Sequence, residues 1–199
     1  MISTYEISVV AELPSLGEEP STLAAFKRHA GLPVDPDWTE SDTLLKSYLL
    51  SAEIYVNAQT SKPYRPTDFI EKHRAVCRDS SGHQILQLHR WPISPTNFSL
   101  VSIDEDAVET AYTSDDYTLA NGWKPAIVFK KSFVAPTPPD VLYPWRVSYT
   151  AGGQQNAMQL IAIFQLATYY NRFPEAIGKP VPDSVFQSHL DVCCAGGFL

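Results

Sequence analysis

The sequence predicts an α+β fold: an antiparallel helical bundle with an inserted small antiparallel β subdomain, an extended N-terminal arm and a C-terminal tail. Three observations point there. The stretch Asp42–Thr60 and the stretch Ala157–Arg172 carry apolar residues at helical spacing. Between them, from Thr67 to Ser148, the period moves from 3.6 towards 2, and turn residues recur at short intervals. The two patterns meet where strand-like Val147-Ser148-Tyr149-Thr150 runs through Ala151-Gly152-Gly153 into the second helix. The expected division is an arm at residues 1–20, a helical part at 21–66, a β-rich insertion at 67–150, a core helix with a final short helix at 151–192, and a tail at 193–199.

Taken in order, Ile2, Tyr5, Ile7, Val9 and Val10 alternate loosely before Leu13-Pro14, as in an extended arm or an edge strand. Gly17-Glu18-Glu19-Pro20 is a turn. Ser21 or Thr22 then caps a short helix from about Leu23 to Ala30, closed by Gly31 and Pro33. Asp35-Pro36-Asp37 turns the chain again, and Thr39 or Ser41 caps a longer helix from about Glu40 to Thr60. Leu44, Leu45, Tyr48, Leu49, Ala52, Tyr55, Val56 and Gln59 form its amphipathic stripe. Pro63 and Pro66 end it.

The β-rich segment offers strands at Phe69–Val76, Gln84–Leu88, Phe98–Ile103, Val108–Thr113, Tyr117–Leu119, Ala126–Phe129 and Trp145–Tyr149. Turn chemistry separates them: Asp79-Ser80-Ser81-Gly82, Trp91-Pro92-Ile93-Ser94-Pro95, Asp104-Glu105-Asp106, Ser114-Asp115-Asp116 and Asn121-Gly122. Pro136-Thr137-Pro138-Pro139-Asp140 reads as a stiff connector to the last strand.

Gly152-Gly153 supplies the permissive backbone that a sharp strand-to-helix reversal needs, and both glycines are assigned as a structural hinge. The helix that follows is apolar almost all round, as expected of a buried core helix. It falls short of the roughly 18 to 20 apolar residues that span a bilayer. It stops at Asn171-Arg172-Phe173-Pro174, and Val181–Val192 forms the final short helix. The tail Cys193–Leu199 ends in Phe198-Leu199, apolar where tails are usually polar, which suggests docking.

Composition bounds the function. With 199 residues, 44% hydrophobic and 12% aromatic, the chain builds a real core as one domain or two small ones. A net charge of −7 and a pI near 5.1 leave no basic stripe for tight binding to a phosphate backbone. An acidic surface does suit a passage through which DNA slides without sticking. The N-terminus lacks the pattern of a signal peptide, so synthesis and folding in a cytosol are expected.

No motif for catalysis stands out. The histidines His29, His73, His83, His89 and His189 show no metal-ligand spacing; His189-Leu190-Asp191 matches only the H-x-D half of an iron triad. Cys77, Cys193 and Cys194 make an odd count without metal spacing and are expected as thiols. Cys77 lies near the cations Arg74 and Arg78, yet no oriented base accompanies it. The acids Asp104, Glu105, Asp106, Asp115 and Asp116 fall in hairpin turns, where Asp serves the backbone. There is no G-x-S-x-G, Walker loop or G-x-G-x-x-G. The expectation is therefore no enzyme, no cofactor and no metal, and a binding or assembly role. Trp38, Trp91, Trp123 and Trp145, at turns and strand ends, agree with protein surfaces or with core packing.

The order of several pieces resembles a known family. Pro20-Ser21-Thr22-Leu23-Ala24-Ala25-Phe26-Lys27, the Asp42–Thr60 helix with Ser51-Ala52-Glu53, Leu88-His89-Arg90-Trp91-Pro92-Ile93, Asp116-Tyr117, Val147–Gly152 and Ala167-Thr168-Tyr169-Tyr170-Asn171-Arg172 are similar, in sequence and order, to the head-to-tail connector proteins. These are the adaptor or head completion proteins of long-tailed double-stranded DNA bacteriophages and gene transfer agents, and the resemblance covers roughly residues 20 to 192. It implies a structural virion protein, made in the host cytoplasm. Its copies would form a homo-oligomeric ring, a dodecamer, under the portal protein in the head-to-tail neck. The ring would extend the DNA channel, pass DNA without binding it specifically, and give stopper, neck or tail proteins their platform, with no membrane contact. A tail-side completion or terminator protein, or an uncharacterised enzyme, is the alternative. The family's arms and C-terminal segments grip portal and neighbours, which assigns Tyr5, Ile7, Val9, Asp191, Val192, Phe198 and Leu199 to portal or subunit contact. The chain departs from the family at Gln154-Gln155-Asn156, where a Val-Pro pair is usual, and in a tail without basic residues.

Overall fold

A computed structural model describes residues 5–11, 18–35, 39, 41–134, 141–153 and 156–182. The chain divides into two units: Met1–Glu12 with Arg65–Gly153, and Leu13–Tyr64 with Gln154–Leu199.

In the first unit alternation dominates. Trp145, Val147, Tyr149 and Ala151 are buried and their neighbours half-buried, the period-2 pattern of a strand with one face on a core. Nine strands are described: β1 (Tyr5–Ala11), β2 (Thr67–His73), β3 (Cys77–Arg78), β4 (Gln84–Gln87), β5 (Ile93–Ile103), β6 (Glu109–Tyr112), β7 (Tyr117–Ala120), β8 (Ala126–Phe129) and β9 (Trp145–Ala151). They form two sheets with antiparallel pairing throughout, in the orders β1-β2-β9-β5-β6 and β3-β4-β8-β7. One buried cluster draws on both sheets: Phe69, Ile93, Leu100, Trp145 and Val147 from the first, and Leu86, Ile127 and Phe129 from the second. Aromatic rings fill much of it, with Phe129 5.5 Å from Trp145 and stacked on Phe133 at 4.5 Å.

The second unit is helical: α1 (Pro20–His29), α2 (Asp42–Thr60), α3 (Ala157–Arg172) and a 3-10 turn at Pro174–Ala176. Leu23 and Phe26 of α1, Leu45, Tyr48, Leu49, Ala52 and Val56 of α2, and Ala162, Ile163, Phe164, Leu166, Ala167 and Tyr170 of α3 make its apolar core. Lys27, buried, meets Asp42 at 2.6 Å across the α1–α2 connection. Gln159 of α3 is fully buried and donates to the Lys62 carbonyl at 2.7 Å, so a residue that interrupts the apolar run in sequence ties α3 to the end of α2.

The expected helical bundle with a small β insertion is overturned. Helix and strand each account for 31% of the described residues, and the β part holds two sheets with nine described strands, a mainly β fold in which the β unit is no minor insertion. Long apolar stripes make helices loud in a sequence, whereas four of these strands have four residues and one has two. The expected arm is a strand where it is described: Tyr5–Ala11 pairs with β2 along its length and edges the larger sheet.

Several boundaries also differ. α1 starts at Pro20, which occupies the first helical position, where its missing N–H costs nothing. β5 takes in Ile93-Ser94-Pro95, expected as a turn, and its register with β9 shifts between Ser94 and Ser99. α2 ends on Ser61 in the left-handed conformation, φ 53°, ahead of the two prolines. The connector at 136–140, residues 183–192 of the expected final helix, and the tail lie outside the described residues. Among those described, no helix is long and apolar enough to cross a membrane.

Candidate functional site

The β1–β2 register places Tyr5 opposite His73, Ile7 opposite Glu71 and Val9 opposite Phe69, so the three expected contact residues of β1 share the face that β2 buries. Tyr5 stacks on the His89 ring at 3.7 Å, Ile7 packs against the sheet core, and Val9 stays 51% exposed. Asp191, Val192, Phe198 and Leu199 lie outside the described residues.

Beneath Tyr5 lies a group that the sequence did not announce. The Glu71 side chain is fully buried, and both its oxygens are used. Oε1 accepts from the His89 backbone N–H at 3.0 Å and from the Tyr149 hydroxyl; Oε2 lies 3.0 Å from His89 Nδ1 and 3.2 Å from His73 Nε2. Burial by itself would raise this carboxyl, but the approach of His73, the hydrogen bonds from His89 and Tyr149, and the charge of His89 outweigh it and hold the pKa at about 2. Burial first, and then the Glu71 charge and hydrogen bond, push the Tyr149 hydroxyl up. Fully buried and with both oxygens engaged by the fold, Glu71 is a brace joining β2, β9 and the segment before β5. One signal was available: Glu71 and His73 occupy the alternate positions that Phe69 marks as the inner face.

Gly152 and Gly153 both take positive φ, 89° and 80°, and the boundary between the two units falls directly after Gly153. A Cβ at Gly153 would stand 2.6 Å from Pro66 Cγ, so backbone conformation and close packing both demand glycine there. Gly152 N–H donates to the Pro92 carbonyl at 2.9 Å.

The residues weighed for chemistry are dispersed. Cys77 is an exposed free thiol in β3. Asp104 Oδ1 accepts from the backbone of Asp106 and Val108, and Asp116 Oδ2 from that of Thr113, which are turn-closing bonds. His83 sits 3.7 Å from Asp79 in the β3–β4 turn. Among the described residues no group of three His, Cys, Asp or Glu side chains is placed to hold a metal ion.

No family model and no curated protein matches the chain. Solved structures do. A chain from the neck of an empty gene transfer agent (GTA) particle, computed with C6 symmetry, superposes with a TM-score of 0.69 at 20% identity, covering 94% of each chain. This chain shares its fold with a gene transfer agent neck chain. A chain from the neck of the native GTA particle, computed with C12 symmetry, gives a TM-score of 0.67 at 20% identity over 94% of each, and one from the native GTA virion gives 0.68 at 20% over 93%. At that identity the likeness establishes the fold, over nearly the whole of each chain.

Proposed function

We propose that the chain is a structural virion protein of a phage or gene transfer agent neck. In this reading it is a ring-forming head-to-tail adaptor that docks under the portal, extends the DNA channel and presents a platform to stopper, neck or tail proteins. The observation that carries the reading is the fold shared with GTA neck chains across 94% of both lengths, the neck particles having been computed with C6 and C12 symmetry. The net charge of −7 supports it, because an acidic lumen lets DNA pass without adhesion. The use of Glu71 as a brace, with both oxygens engaged within the fold, supports a structural role over catalysis. Contact with portal or neighbours is assigned to Tyr5, Ile7 and Val9 of β1 and to Asp191, Val192, Phe198 and Leu199, and Gly152 and Gly153 are assigned as a structural hinge.

Electron microscopy of the full-length chain mixed with its portal tests this. Ring density on the portal is the expected outcome. A chain that never decorates the portal overturns the adaptor reading, and density at the tail-tube end of assembled particles would make it a tail-side completion protein instead.

A further inference from the structure

An acidic chain with 15 Lys and Arg against 22 Asp and Glu has little positive charge to spare, so where its cations gather is informative. Arg78 of β3, His83 and Gln84 at the start of β4, and Lys130 and Lys131 after β8 line a shallow cleft of about 330 Å3, with Phe133 and Val134 as its apolar wall. Arg78, Lys130 and Lys131 are exposed, and none of them makes an ion pair with a described residue. Val134 is 83% exposed. The cleft therefore joins cations, paired with no described residue, to uncovered apolar surface, the combination that recognises a carboxylate-bearing protein segment.

The same unit carries the complement. The turn between β5 and β6 projects Asp104-Glu105-Asp106-Ala107-Val108, all exposed. Asp104 closes the turn through the Asp106 and Val108 amides, while the Glu105 and Asp106 carboxylates have no partner among the described residues. Val108 beside them is 56% exposed. Two carboxylates and a valine on the turn thus answer three cations and a valine at the cleft, none of the five charges being paired with a described residue.

We propose that the cationic cleft receives the Asp104–Val108 turn of a second copy of this chain. The inference rests on the ring reading above and gives it a contact. Closing a ring by repetition requires two different, mutually complementary patches on each copy, which the cleft and the turn supply. Copies carrying −7 repel one another on average, so association depends on local pairs of opposite sign that also fix the register. A nucleic-acid backbone is the poorer occupant, because three cations in an acidic field give it little hold.

The test is a charge exchange in the full-length chain, with ring formation on the portal followed by electron microscopy and light scattering at low and high salt. Lys130→Glu with Lys131→Glu, and separately Glu105→Lys with Asp106→Lys, should each weaken association by about tenfold or more. Combining all four should restore it, since the pairs are re-formed with their signs exchanged. Circular dichroism checks that each variant keeps the wild-type fold. Wild-type rings that the separate reversals leave unchanged, or that the combined variant fails to restore, overturn this contact and leave the adaptor reading standing. A wild-type chain that forms no ring defeats the adaptor reading and the contact with it. Reversals that assemble normally but lose retention of a DNA fragment would assign the cleft to phosphate instead and also overturn the proposal.

Discussion

The cores of the two units are built on different principles. The helical unit encloses Phe26, Leu49, Ala52, Val56, Ile163, Leu166 and Ala167, a cluster held by apolar contact that is indifferent to pH, and it also buries Lys27, paired with Asp42, and Glu53. The β unit buries an apolar cluster too, but lays beside it the carboxylate of Glu71 with His73, His89 and Tyr149 around it. Apolar packing is tolerant in composition and sensitive to volume; a buried ionised group is the reverse, since each donor must be in place for the charge to be stable. Removing volume should therefore cost most in the apolar core of the α unit, and removing charge most at Glu71 of the β unit.

The largest effect expected is on the apolar side. Leu49, fully buried in α2, loses three carbons in Leu49→Ala, which should cost about 2–5 kcal/mol through lost transfer energy and the cavity left behind. Urea denaturation at several pH values measures it, and the loss should be the same at each. A cost that varied strongly with pH would mean that the α core is coupled to a titrating group, and would break the contrast.

Next comes the charge. The Glu71 carboxyl is lowered from 4.5 to about 2 in the folded chain, so the unfolded state binds the proton first. Its contribution is present in full above pH 4.5 and is lost as pH falls towards 2. The shift corresponds to roughly 3 kcal/mol at neutral pH. Glu71→Gln keeps the shape and removes the charge. It should destabilise by about 3 kcal/mol at pH 7 and flatten the stability profile between pH 4.5 and 2, as read from urea midpoints across that range. An unchanged acid limb would show that Glu71 is not the group responsible.

These contrasts also explain what was legible. The helical stripes of α2 and α3 could be read because spacing along a helix is local, and Ala126–Phe129 and Trp145–Tyr149 because their apolar residues are contiguous or strictly alternate. Glu71 could not, because its partners His89 and Tyr149 lie 18 and 78 residues away in the chain, Tyr149 meeting it through the β2–β9 pairing and His89 from the segment before β5. The same holds for β1: pairing with β2 joins residues 57 to 68 apart, for instance Tyr5 and His73 at the far end of that range, so the isolated segment read equally as an extended arm or an edge strand. β3, of two residues, is too short for any period to declare itself, whereas the four-residue strands β4, β6, β7 and β8 fall at or within one residue of segments that the sequence offered as strands. The glycine pair was the exception, a backbone requirement written directly in the sequence and met at φ values of 89° and 80°.

The smallest effect on stability should come from the edge of the β unit, where neither principle holds. Val9 faces the side of β1 that β2 buries, yet it is 51% exposed, because an edge strand has a neighbour on one flank only. Val9→Thr keeps the β-branched shape that suits a strand, so it should move stability by no more than about 0.5 kcal/mol in urea denaturation. If Val9 contacts the portal or a neighbouring copy, the added hydroxyl enters an apolar contact without a partner, and ring formation on the portal should weaken while the urea midpoint stays put. A variant that assembles as well as the wild type would remove Val9 from the contact surface. A loss of stability well above 0.5 kcal/mol would instead mean that β1 belongs energetically to the core of its own unit, and that Tyr5 and Ile7, already engaged with His89 and the sheet, are structural as well.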